Sequence, residues 1–263
     1  MFFDFSKAFD LVDHNILLNK INKYLPEWIT QWIAQYLSNR SQRVKYENIV
    51  TDWRTVKAGV IQGSVLGPTL FILFLHEIGE QIPSIVNAPM YEVGILVYNT
   101  DKALVQQAAD GVNKWTKENN MRLNIEKTKK MTINKQKTSS DFSISINNTE
   151  LEQVDEYKYL GALVTSDLDW QKHWAHISRN FNSTIYLLKQ MKQLGFRKKL
   201  MVNVYKSFIL NQIISNSNIL CSANKNIKNE IERIQNRAIK IINIQPNELP
   251  YFKIINTNEL IDK

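Results

Sequence analysis

Asp4-Phe5-Ser6-Lys7-Ala8-Phe9-Asp10 and Gly59-Val60-Ile61-Gln62-Gly63-Ser64-Val65-Leu66-Gly67-Pro68 decide how this chain is read. The first stretch puts a carboxylate at the end of an apolar strand, Met1 to Phe5, with an aromatic ring five residues on. The second is a glycine-rich turn leading into an apolar helix, and glycine lets backbone approach a ligand closely. Pro68 suits the first turn of that helix, which runs through Leu70, Phe71, Leu73, Phe74 and Ile78.

Between the two stretches, Asp13 is an N-cap for a helical pattern from Ile16 to Tyr36, which Pro26 divides into two pieces. Residues 43–48 and 53–58 read as a short strand pair. Beyond the glycine-rich turn, residues 88–91 and 95–98 are two β runs around Glu92-Val93-Gly94, a hairpin pattern. Residues 101–119 carry Leu104, Ala108, Val112 and Trp115 at helical spacing. Residues 130–134, 142–146 and 157–164 complete a strand-rich stretch. After Asp167 the period becomes helical, through Trp174, Ile177, Phe181, Ile185, Leu188 and Met191, then 198–220 and 227–244. The pattern predicts an α/β domain over 1–168, then an all-helical region over 169–263.

With 263 residues and a hydrophobic share of 44%, the chain can bury a substantial core. Its charge is uneven. Residues 171–263 hold 15 Lys/Arg against 5 Asp/Glu, a surplus of +10, whereas residues 1–170 hold 18 against 20. Such a basic half suits a polyanion, or is a solvated basic surface. Cys221 stands alone, which excludes a disulfide framework and a thiolate zinc site. No signal peptide or spanning segment is evident, so the expected place is intracellular, nucleus or cytoplasm, with no membrane partner. His173 and His176 lack a third ligand in view and read as helix-surface histidines. Trp28, Trp32 and Trp53 read as core or interface residues, not as stacking platforms.

Phe-Ser-Lys-Ala-Phe-Asp with Gln-Gly-Ser-Val-Leu-Gly-Pro resembles motifs A and B of reverse transcriptases of the non-LTR (LINE-type) retrotransposon branch. The resemblance covers nearly the whole chain. It implies an α+β fold: a polymerase palm, an antiparallel sheet packed on helices, over 1–168, with the fingers expected before motif A absent, and an all-helical, thumb-like region over 169–263. It also implies RNA-directed DNA synthesis from an RNA template, a DNA primer and deoxynucleotide triphosphates, with Mg2+ or Mn2+ as cofactor. Asp4 is then a catalytic metal ligand. Phe9 is the bulky group that excludes a ribose 2′-hydroxyl, or else a core ring at the strand-to-helix turn. Gln62 and Gly63 lie against the incoming nucleotide. Lys127, in a motif D-like turn from Leu123 to Lys129, is a candidate to protonate pyrophosphate, or a solvated lysine. Tyr159-Leu160-Gly161 resembles the primer grip. Lys189, Lys192, Arg197, Lys198 and Lys199 are thumb candidates for phosphate contacts.

The hairpin departs from the family. Where the pattern is Tyr-Ala-Asp-Asp, this chain has Tyr91-Glu92-Val93-Gly94. Valine has no lone pair to offer a metal, and Glu92 points to the opposite face of a regular strand. The expectation is activity reduced by orders of magnitude, each ~1.4 kcal/mol of lost transition-state stabilisation being a factor of ten. A first strand without palm partners is expected to leave an open apolar edge. A non-catalytic remnant that holds nucleic acid through its basic helices is the alternative reading.

Overall fold

The computed structural model describes residues 1–91, 94–133, 142–221 and 223–244. These fall into two compact units, one taking in Met1–Thr132 and 142–155, the other 156–244. The division lies ahead of the 168 boundary read from the sequence, because the hairpin over 156–165 joins the helices that follow it.

In the first unit, β1 (Phe2–Asp4) is followed by α1 (His14–Ile21) and α2 (Glu27–Leu37). Asp13 accepts hydrogen bonds from the Asn15 and Ile16 amides and so caps α1, while Pro26 separates the two helices, as the sequence pattern predicts. The expected strand pair becomes two short ladders: β2 (Ser41–Gln42) with β5 (Arg54–Thr55), and β3 (Lys45–Tyr46) with β4 (Ile49–Val50). Next come α3 (Leu66–Leu75), β6 (Met90–Tyr91), β7 (Gly94–Leu96) and α4 (Lys102–Glu118), capped by Asp101. β8 (Ser145–Ile146) and β9 (Thr149–Glu150) close the unit as a small hairpin.

The sheet order is β1-β7-β6, antiparallel throughout. The open edge expected at β1 is not there. Phe2 exchanges backbone hydrogen bonds with Lys129 at 2.8 and 3.0 Å, and the Asn124 amide donates to the Asp4 carbonyl at 2.8 Å. Ser6 donates to Arg122 in the same way. Non-strand backbone from 122 to 129 therefore covers the outer side of β1, and Phe2, Phe3 and Phe5 are buried. The core beneath the sheet gathers Leu17, Ile21, Leu70, Phe71, Phe74, Val112 and Trp115.

Among the described residues of this unit, the lysines Lys20 and Lys130 are both buried. Lys20 is 5% exposed. Its Nζ donates to the Phe74 carbonyl at 3.0 Å, lies 3.1 Å from Glu77, and sits over the Phe74 and Trp115 rings. Lys23 donates to the other Glu77 oxygen at 2.8 Å. Lys23, then Lys20, holds the Glu77 carboxyl below its ordinary 4.5, against the opposing pull of burial. Because the folded value is depressed, the pair stabilises the fold above about pH 4.5 and is lost as pH falls through the folded value. Glu77→Gln should lower stability at pH 7 by about 1–3 kcal/mol and flatten its decline below about pH 4.5. Urea midpoints measured across that pH range check this; an unchanged acid limb would show that Glu77 contributes nothing to it.

In the second unit β10 (Glu156–Tyr159) and β11 (Ala162–Thr165) form a hairpin, followed by α5 (Gln171–Gln193) and α6 (Lys198–Tyr205). A π-helical turn at Lys206–Leu210 leads into α7 (Asn211–Ser215), then α8 (Ser217–Cys221) and α9 (Lys225–Ile242). Phe181, Leu188, Tyr205, Ile209, Ile231 and Ala238 make up its separate core. His173 is a correction to the sequence reading. It is 3% exposed, accepts from the Leu163 amide through Nδ1, and pairs through Nε2 with the Asn216 side chain. Because Nδ1 is an acceptor, the proton sits on Nε2. His176 is exposed. Among the described residues, no helix is long and apolar enough to cross a membrane.

Candidate functional site

The site is built where β1 ends. A 3-10 turn at Ala8–Asp10 follows the strand, entered through Lys7 in the left-handed region. The glycine-rich turn is tied to it by backbone. Gly59 donates to Val12 and Val60 to Phe9, each at 2.8 Å, and Nε2 of His14 pairs with the Gly59 carbonyl at 2.9 Å. Gly59 has φ +94°, and a Cβ there would stand 3.0 Å from the backbone of Phe9 and Asp10. At the start of α3, Ser64 Oγ accepts from the Gly67 amide and donates to the Ile61 carbonyl. A Cβ on Gly67 would meet that same carbonyl oxygen at 2.4 Å. Both positions demand glycine for close approach.

Gln62 donates to Asp10 Oδ1 at 3.0 Å, so the two sequence stretches meet side chain to side chain as well. Gly63 lies in the turn at φ +78° with open space above it. The half-buried Phe9 ring stacks on Phe71, centroids 4.7 Å apart, and forms part of an apolar cleft of about 650 Å³ with Pro68, Leu75, Met90 and Tyr91. Its position is thus shared between core wall and cleft.

Asp4 is partly exposed and its Cα partner across the ladder is Gly94. Its carboxylate lies 3.9 Å from the Lys127 ammonium. Local chemistry sets that approach: the Asn124 side chain accepts from the Lys127 amide, Thr128 Oγ1 donates to the Asn124 carbonyl, and the Asp4 amide donates to Thr128 Oγ1. Glu92 and Val93 lie outside the described residues. Among the described residues, no group of three or more His, Cys, Asp or Glu side chains could hold a metal ion. Among the described residues, Asp4 faces a glycine with a lysine beside it, whereas magnesium is held by one or two carboxylates together with water and substrate phosphates. No chemical step through a metal follows from this donor set.

Sequence reasoning missed Asp10, His14, Asn124 and Thr128 as positioning residues. An Asn three residues before a lysine on a turn is an Asx-turn signal that could have found one of them.

In the second unit, Tyr159 and Ala162 pair across a turn whose central residues, Leu160 and Gly161, both have positive φ. Tyr159 is half-buried, and burial pushes its hydroxyl pKa up. Lys189 and Lys192 of α5 face Arg237 and Lys240 of α9 around a cleft of about 320 Å³. Arg197, Lys198 and Lys199 stand exposed at the N-terminal end of α6. Cations there oppose the helix dipole, so helix stability does not account for them.

Residues 1–164 match the family described as Reverse transcriptase (RNA-dependent DNA polymerase). The chain is 27% identical over 262 residues to an RNA-directed DNA polymerase from mobile element jockey of Drosophila melanogaster, covering 93% of this chain and 28% of that protein. It is 26% identical over 260 residues to a probable RNA-directed DNA polymerase from transposon X-element of the same fly, covering 92% and 28%. A probable RNA-directed DNA polymerase from transposon BS is 28% identical over 276 residues, covering 96% and 29%. The chain therefore spans less than a third of the length of these relatives.

Proposed function

The chain belongs to the reverse transcriptase (RNA-dependent DNA polymerase) family, and on that premise we propose that it is a non-LTR retrotransposon domain that holds nucleic acid but has lost nucleotidyl transfer. The observation that carries this reading is the pairing of Asp4 with Gly94, with Lys127 as the carboxylate's nearest cation. In this reading the first unit is the palm and the second the thumb. Phe9 and Gln62-Gly63 form the nucleotide side, and Tyr159-Leu160-Gly161 the primer-facing turn. RNA template and DNA primer are the partners, and Mg2+ or Mn2+ binds weakly for want of carboxylates.

The cations of the second unit supply the hold. Lys189, Lys192, Arg237 and Lys240 converge on one cleft, with no acidic side chain among its lining residues. Phosphate neutralisation by such side chains is independent of sequence and weakens with salt. Lys189→Ala/Lys192→Ala/Arg237→Ala should weaken binding of an RNA–DNA hybrid about tenfold or more at moderate salt. The slope of log affinity against log salt should shrink by about 2–3. Fluorescence anisotropy with a labelled hybrid measures both, with primer extension followed on the same sample. Unchanged affinity and slope would end the reading of this cleft as the hold. Extension by the unaltered chain would end the claim of lost catalysis.

A further inference from the structure

The tryptophans read from the sequence as core or interface are exposed. Trp28 is 71% exposed and Trp53 61%, with Trp32 and Tyr46 also in solvent. Trp28, Trp32 and Tyr36 recur every fourth residue on α2, which places them along one face. The Trp32 and Tyr36 rings lie nearly parallel, centroids 6.1 Å apart and planes 18° from each other.

The ribbon that follows has no buried side at all. Every residue from Ser41 to Thr55 is exposed, including Val44, Tyr46, Ile49 and Trp53. A two-stranded ribbon with no covered face is marginal in water by itself. Folded proteins rarely leave this much aromatic surface in solvent unless something covers it.

The charge on this segment indicates what does. Residues 40–57 carry Arg40, Arg43, Lys45, Arg54 and Lys57 against Glu47 and Asp52, a surplus of +3 in a half of the chain that is otherwise slightly acidic. The Arg43 guanidinium sits over the Trp53 ring, 4.5 Å from its centroid. Rings interleaved with cations are the composition of a surface that stacks bases while neutralising phosphates. A protein–protein interface shares the enrichment in Trp, Tyr and Arg but is depleted in Lys, and the net surplus of +3 with Lys45 and Lys57 favours a polyanion here. Stacking also requires bases that are not already paired, which a duplex does not offer.

We infer that Trp28, Trp32 and Trp53, with Arg43 and its neighbouring cations, form a binding surface for single-stranded nucleic acid on the first unit, distinct in composition from the cationic cleft that α5 and α9 form in the second. The inference rests on the reading of the chain as a nucleic-acid-holding reverse transcriptase domain, and adds to it a site for an unpaired strand.

The test uses the whole chain, a fluorescent twelve-nucleotide oligouridine and an RNA–DNA hybrid, with tryptophan quenching as a second signal. Trp28→Ala/Trp32→Ala/Trp53→Ala should weaken oligouridine binding about tenfold or more and abolish the quenching, with hybrid affinity changed far less. The matching Trp→Phe triple variant should keep oligouridine affinity within about threefold, because a phenyl ring still stacks. Unchanged oligouridine affinity in the alanine variant overturns the inference. So does a chain that is dimeric by light scattering and made monomeric by that variant, since the surface is then an interface between copies. If the alanine variant does nothing while loss of Lys189, Lys192 and Arg237 still weakens hybrid binding, the site fails and the functional reading stands. If the unaltered chain binds neither nucleic acid, both fall.

Discussion

The Val93→Asp/Gly94→Asp variant extends a DNA primer on an RNA template at least about a thousandfold faster than the chain as given, in magnesium or manganese. The reason lies in the ladder. Asp4 and Gly94 are direct partners across β1 and β7, and side chains at such a pair have Cβ atoms about 4.5–5.5 Å apart. An aspartate at 94 would stand opposite Asp4, and with a second at 93 the hairpin regains the two carboxylates of the family pattern, so that a divalent ion could displace Lys127 from Asp4. Restoring ligands to a two-cation site is worth several kcal/mol, and about 4 kcal/mol corresponds to a thousandfold. Manganese titration of the two proteins gives a readout that does not depend on turnover: the variant binds the ion more tightly. Equal extension by both proteins would show that Glu92-Val93-Gly94 is no lesion. If neither extends a primer although both are folded and the variant binds manganese, the defect lies elsewhere than in the hairpin.

Trp115→Ala lowers the stability of the first unit by about 3–5 kcal/mol, the largest single effect expected in its core. Trp115 is 2% exposed and meets Phe5 and Phe74 edge-on, with centroids 6.4 and 5.7 Å away. The Lys20 ammonium lies 4.8 Å from its ring, so truncation also removes part of that cation's surroundings. Trp115→Phe is expected to be much milder, within about 1.5 kcal/mol. The indole Nε1 is buried with no hydrogen-bond partner, and a phenyl ring lacks that nitrogen altogether, which removes the cost while leaving part of the ring volume filled. Urea unfolding followed by circular dichroism separates the two. Equal losses for both substitutions would mean that the Nε1 group finds a partner in solution.

Much of the fold is legible because it rests on local chemistry. Asp13 and Asp101 cap their helices, Pro26 breaks a long apolar period, and Ser64 with Gly67 starts α3. Each of these acts over four residues or fewer. The hairpin register Tyr91 to Gly94 is similarly local. What stayed hidden depends on distant partners. The cover over β1 comes from residues 122–129, which have no strand pattern of their own. His173 precedes Trp174 by one residue, and only the distant backbone of Leu163 and side chain of Asn216 explain its burial. The exposure of Trp28, Trp32 and Trp53 was illegible for the opposite reason: composition marks them as core residues, and nothing nearby in sequence says that the core stops short of them.

At the candidate site the residue types were legible from the two motifs, and the approach of Lys127 to Asp4 was not. It depends on Asn124 and Thr128 locking a turn against the strand, a set of contacts spread across more than a hundred residues of chain.

The backbone cover on β1 has a further consequence, one of time and inheritance. With β7 hydrogen-bonded on one side and residues 122–129 on the other, the amides of this strand are protected from both sides, and all of them exchange together only when both sides open. The strand is then among the slowest parts of the unit to open. None of the groups that hold it is a catalytic carboxylate, so the hairpin can mutate while the position of Asp4 stays fixed. On the proposed reading of a lost activity, a lineage keeps the address of an active site in this way and regains what was delivered there by changing two neighbouring codons.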